Sequence, residues 1–153
     1  MRLSDEIAAY IYGILEQAED GSAELQRNEL AEKLGCVPSQ INYVLTSRFT
    51  PEQGFVVESR RGGGGYIRIT RINSGRGAAI MHVVNSIGDT LDASTARIIL
   101  ENLTHNRQLA PKAAKLMRAA VSDNCYHSVP PQSRDAVRAS VLKSMLLQAA
   151  MFD

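Results

Sequence analysis

Apolar residues recur every three or four positions over most of this chain and every second position over one short part of it. Ile7, Tyr10, Ile11, Ile14, Leu15 and Ala18 keep helical spacing. They predict a first helix with Ser4 as N-cap, Asp5 and Glu6 in the first turn and Gly21 as its stop. Leu30, Ala31 and Leu34 predict a second helix over about 26–34, after which Gly35 reverses the chain. Pro38 suits the first turn of a third helix running to about Ser47, with Ile41, Val44 and Leu45 as its apolar side. The period then changes. "FVVES" and "YIRITRI" are β-rich runs on either side of "RRGGGG", which predicts a hairpin.

From about Ser74 the pattern is helical again. "INSGRG" reads as a linker, and Ala79, Ile80, Val83, Val84 and Ile87 form one stripe. Ala96, Ile99, Leu100 and Leu103 form a second stripe, capped by Asp92 or Ser94. Pro111 opens a third helix through Met117 and Ala120. Val129-Pro130-Pro131 then breaks the chain before a long last helix carrying Val137, Val141, Met145 and Ala149. The expected organisation is α+β: an N-terminal winged helix-turn-helix domain over residues 1–73 and an all-α domain over 74–153. Alanine and methionine dominate the second half, with Phe152 its one phenylalanine. Such a core is thin, so a surface shared between two subunits is expected over a monomeric bundle.

The helix-turn-helix expectation rests on "RNELAEKLGCVPSQINYVLT". A small residue must lie where the two helices cross, a turn residue must tolerate positive φ, and a branched apolar residue must aim back at the first helix. Ala31, Gly35 and Ile41 meet these needs in order. An ordinary αα-hairpin shares much of this pattern, so the exposed face of the third helix has to decide. Ser39, Gln40, Asn42, Tyr43, Thr46 and Ser47 lie off its apolar seam, with Arg48 at the end. A merely solvated face usually carries more Lys and Glu. Amides can pair with the N6 and N7 edge of adenine, Arg with O6 and N7 of guanine, and Thr or Tyr with phosphate or a thymine methyl.

Charge sharpens the picture only locally. Over 153 residues the formal net charge is +1 and 44% of residues are apolar, which fits one or two globular domains. Between Ser59 and Gly77, however, Arg60, Arg61, Arg68, Arg71 and Arg76 occur without an acid among them. A hairpin directly after a helix-turn-helix is a wing, and four glycines beside two arginines suit a narrow minor groove. A phosphate-cradling loop would want Lys followed by Ser or Thr after the glycines, or a helix, and here a strand begins. An arginine-glycine RNA box would recur, and this run occurs once. A plain flexible hairpin loop remains the serious alternative, although a two-residue turn would close a hairpin with less entropy to lose.

Other chemistries are poorly supported. Cys36 and Cys125 are too few and too far apart for a disulfide framework or a four-ligand zinc site, and Cys125 with His127 lacks a second ligand pair. No base, nucleophile and anion cradle assemble into an enzyme, and no cofactor is expected. Neither a signal peptide nor a membrane span is readable, so a cytoplasmic protein is expected.

"CVPSQINYV", "RFTPEQGFVVES" and "RRGGGGYIRI" resemble the class three stress-gene repressor family (CtsR) of Gram-positive bacteria, and the similarity covers the whole length. The resemblance implies a winged-helix repressor that binds tandem direct repeats in double-stranded DNA before heat-shock chaperone and Clp protease genes. It implies a homodimer formed through the C-terminal domain, and release by heat or protein stress. It also implies as partners a protein arginine kinase with its activator and the Clp ATPase and protease, with arginine phosphorylation at Arg61. The DNA-contacting residues expected on this reading are Arg27, Ser39, Gln40, Asn42, Tyr43, Thr46 and Arg48 of the helices. On the wing they are Arg60, Arg61, Gly62, Gly63, Gly64, Gly65, Tyr66 and Arg68. The alternative is a winged-helix interaction module whose basic wing docks an acidic partner. A further expectation is that the hairpin from Phe55 to Ile72 is marginal and melts locally on warming while both cores stay folded.

Overall fold

The computed structural model of the chain describes residues 2–60 and 65–152. It divides into two compact units, residues 1–72 and residues 73–153.

The first unit begins with α1, Leu3–Gln17, whose Ile7, Ala8, Ile11 and Leu15 form one buried stripe. Its N-cap is Arg2, whose carbonyl accepts from the Asp5 and Glu6 amides at 3.0 and 3.1 Å. Ser4 therefore lies inside the helix, where its hydroxyl accepts from Arg48 at 3.4 Å, and does not cap it as expected. The helix also stops earlier than expected. Gly21, at φ +70°, turns the chain into β1, Ser22–Gln26, a strand that the sequence reading missed. Then follow α2, Arg27–Leu34, and α3, Pro38–Arg48. Between them Gly35 adopts φ +68° while the Cys36 amide donates to Ala31 O at 2.9 Å, closing the end of α2. Strands β2, Phe55–Arg60, and β3, Tyr66–Arg71, complete an antiparallel sheet in the order β1-β3-β2.

β3 is thus the middle strand. Its Ile69 faces Ala23 on one side and Val57 on the other, and its Ile67 faces Leu25 and Ser59. Ile67 and Ile69 are buried with Ile7, Ile11, Ile41 and Val44 in one core. Tyr12, Phe49 and Phe55 extend that core as an aromatic cluster, with ring centroids 4.8 to 6.0 Å apart. This arrangement corrects the expected local melting. Releasing the base of the hairpin would expose Phe55, Ile67 and Ile69, so it cannot proceed with the core of this unit intact.

The second unit contains α4, Gly75–Ser86; α5, Ala93–His105; α6, Pro111–Val121; and α7, Arg134–Ala150. Packing pairs α4 with α7, α5 with α6, and α6 with α7. Asp92 takes the N-cap of α5, and a hydrogen bond from the Thr95 side chain holds its carboxyl below the ordinary range. Two expectations change here. The linker is shorter than "INSGRG", because Arg76 lies in α4 and donates to the carbonyls of Gln108 at 3.1 Å and Ala149 at 2.9 Å. On α7 the core face is Ala139, Leu142, Leu146, Ala149 and Ala150; Ala149 is buried as expected, and the rest of the face lies about one position round from the expected stripe. Val137 is exposed, and Val141 and Met145 are only half-buried. No helix among the described residues is long and apolar enough to cross a membrane.

Candidate nucleic-acid interface

The candidate interface is built from α3, the residue that opens α2, and the two ends of the hairpin. Burial of Ile41, Val44 and Leu45 turns the opposite side of α3 to solvent, where Ser39, Gln40, Asn42, Tyr43, Thr46 and Ser47 are exposed. Tyr43 is 65% exposed, far more than a tyrosine placed for packing would be. Leu3, Ser4, Ile7, Gln40 and Tyr43 line a hollow of about 250 Å³ between the start of α1 and this face.

Hydrogen bonds within the protein determine what each side chain still offers. Gln40 Oε1 accepts from the Val37 amide at 3.4 Å, half of a capping box whose other half a valine cannot supply. Its Nε2 group keeps two donors. Thr46 Oγ1 donates back to the carbonyls of Asn42 and Tyr43 at 3.0 and 3.1 Å, and Ser47 Oγ to Tyr43 O at 2.6 Å. Thr46 therefore has acceptor lone pairs and a methyl to present, whereas a phosphate contact would require it to give up its helix bond. Arg48 is engaged as well. Its Nη2 donates to Asp5 Oδ1 at 2.6 Å, tying the end of α3 to the start of α1, and this bond holds the Asp5 carboxyl below its ordinary range.

Arg27 makes the most extensive tie. Its Nε donates to Asn42 Oδ1 at 2.7 Å, its Nη2 to Ser59 Oγ at 2.8 Å and its Nη1 to Gly65 O at 3.3 Å. One guanidinium thereby joins α3 to β2 and to the turn residue just before β3. Gly65 has φ +81°, and an added Cβ would stand 3.7 Å from Arg27 Nη1.

On the hairpin, Arg60 ends β2 opposite Tyr66, and both are exposed. Arg61, Gly62, Gly63 and Gly64 lie outside the described residues. Arg68 sits in register between Glu24 of β1 and Glu58 of β2, which offset its charge. Arg71 lies over the rings of Tyr12 and Phe55, at 5.9 and 5.4 Å from their centroids. The run of arginines is therefore less uniform than its sequence implied, since Arg76 bonds within the second unit, Arg71 caps the aromatic cluster and Arg68 stands between acids. Among the described residues no group of three or more His, Cys, Asp or Glu side chains could hold a metal.

Comparison with known proteins agrees with this architecture. Residues 2–73 match the family model described as the CtsR N-terminal HTH domain, and residues 76–147 match the CtsR C-terminal dimerization domain. The transcriptional regulators CtsR of Staphylococcus aureus strains USA300 and COL are each 39% identical over 145 residues, covering 94% of this chain and 94% of their own. A crystal structure of CtsR in complex with a 26bp DNA duplex matches with a TM-score of 0.51 and 34% identity, over 99% of this chain and 100% of that one. With both domains matched in order and relatives this similar over nearly the whole length, the chain belongs to the CtsR family.

Proposed function

We propose that this chain is a sequence-specific DNA-binding repressor, acting as a homodimer on tandem direct repeats before heat-shock and Clp protease genes. The observation that carries the reading is the outward face of α3. Ser39, Gln40, Asn42, Tyr43 and Thr46 are exposed there without a charged side chain among them, on a helix otherwise held by its apolar seam. Amides and hydroxyls on such a helix suit the edges of bases in the major groove. The relative solved with a 26bp DNA duplex supports DNA as the ligand. The wing then follows the adjacent minor groove, where Arg60, Arg61 and the glycines from Gly62 to Gly65 approach the backbone closely. The match of the second unit to a dimerization domain supports pairing of two such readers.

Release follows from the same charges. Heat or protein stress frees the repressor, and a protein arginine kinase with its activator acts at Arg61. A phosphoryl group there turns attraction to the DNA backbone into repulsion. The Clp ATPase and protease then remove the freed chain. All of this takes place in the cytoplasm.

Titrating the full chain against duplex from the upstream region of a heat-shock operon, and against random duplex, at several salt concentrations tests the reading. Affinity should fall steeply with salt, and the operon duplex should bind about 10³-fold more tightly than random sequence. A flat salt response with equal affinities would overturn it in favour of a wing that docks an acidic protein.

A further inference from the structure

The geometry points to Arg27 as a positioning residue that sets DNA specificity by locking α3 and the wing into one reading unit; this inference rests on the proposed function. Arg27 opens α2, where a cation opposes the positive end of the helix dipole and earns nothing for the helix itself. Its placement is explained instead by its partners. Nε, Nη1 and Nη2 each donate to a different segment: Asn42 on α3, Gly65 in the turn just before β3, and Ser59 near the end of β2. The backbone amide of Arg27 adds a fourth bond to Gly65 O at 3.4 Å. Only a planar guanidinium supplies donors in three fixed directions, so lysine cannot replace it.

Asn42 is the base-reading candidate that this brace touches. With Oδ1 held at 2.7 Å by Arg27 Nε, the amide has one orientation, and its Nδ2 group is the donor left for a base edge. The same guanidinium holds Ser59 near the end of β2 and Gly65 just before β3. The rotamer of Asn42 and the position of the wing are therefore set together, and a base sequence that suits one without the other binds poorly. Arg27 acts on specificity through Asn42 and the wing, without itself reading a base.

The test uses the full chain, the 26-bp duplex that the wild-type protein enriches from a randomised pool, and a random duplex of equal length. Arg27→Lys should lower the ratio of selected to random affinity about tenfold while the slope of log affinity on log salt stays unchanged. Its loss should not add to that of Asn42→Ala, the double variant being within about twofold of the worse single one. A ratio kept within about twofold overturns the brace. So does equal weakening on both duplexes, which marks a phosphate contact. Should Arg27→Lys fail to fold, Ser59→Ala removes one leg from an exposed position: a several-fold fall in the ratio supports the brace, and an unchanged ratio overturns it. Enrichment of no sequence by the wild-type chain would sink the proposed function. The brace is then read in the free protein from the order of the Asn42 side-chain amide by NMR, which should drop in Ser59→Ala and Arg27→Lys; no drop in either overturns it.

Discussion

Arg138 is 1% exposed, yet each nitrogen of its guanidinium has a hydrogen-bond partner. It donates to Val121 O at 2.7 Å, Leu91 O at 3.0 Å and Asp135 Oδ1 at 2.6 Å, pairs with Asp123, and lies 5.0 Å from the centre of the Tyr126 ring. The two carboxylates are more than half exposed, so removing the arginine lets them rehydrate, whereas the two carbonyls remain buried without a donor. Arg138→Met should accordingly cost about 2–3 kcal/mol in chemical denaturation, with Asp123→Asn costing less than about 1 kcal/mol. Gly54 is the other residue with little freedom. At φ +90° an added Cβ would meet Ile72 O at 3.0 Å, and that residue's amide already donates to Gly54 O at 2.7 Å. Gly54→Ala should destabilise the first unit by roughly 1–3 kcal/mol, readable from its urea midpoint. Neither role was legible in the sequence. A buried arginine has no periodic signature, and helical spacing alone placed Val137, its neighbour, on the core side. By contrast Ala31, Gly35 and Ile41 were legible because the turn between two crossing helices restricts residue size and φ at fixed spacing.

Between elements, the tie of Arg48 to Asp5 fastens α3 to α1. The hydrogen bond from Arg48 is the main cause of the lowered Asp5 carboxyl, whose ordinary value is 3.8. A carboxylate lowered in the folded state stabilises above its unfolded value and loses that contribution as pH falls through the folded one. The stability difference between wild type and Asp5→Asn should therefore be constant near neutrality and shrink below about pH 4, measured by thermal melts across an acid series. A difference that persisted at pH 2 would detach the tie from the stability of α1 against α3. The same bond alters the expected role of Arg48, since reading a guanine would require leaving Asp5. Elements were legible where their periods were long: α2, α3, β2 and β3 lie close to their expected places. The strand β1 was missed because "SAELQ" is only five residues long and its single fully buried side chain is the small Ala23. Its real signal is non-local, a register with β3 that no window of the sequence contains.

For the molecule as a whole, the apolar residues left outside the second core bear on assembly. Ile98 is 49% exposed and Leu116 75%, and Val137, Val141 and Met145 flank the buried face of α7. If these residues are covered by a second copy, unfolding of the second unit must depend on concentration. Each tenfold rise in protein concentration should raise its midpoint by about 3–6 °C, followed by hydrogen exchange at the Leu142 amide. Midpoints that do not move with concentration would leave the unit monomeric. The order β1-β3-β2 has a consequence in time as well. Ala23 and its partner Ile69 are 69 − 23 = 46 positions apart, and β1 pairs with no other strand among the described residues. At about 5–20 residues per second a ribosome needs roughly 2–9 s to deliver the partner after β1 has been made. During that interval each newborn copy carries an open strand edge, and its α3 is not yet joined through Arg27 to Gly65. A cell refilling its supply of this regulator thus waits on the synthesis of β3, so the lag before a new molecule becomes competent is written into the strand order.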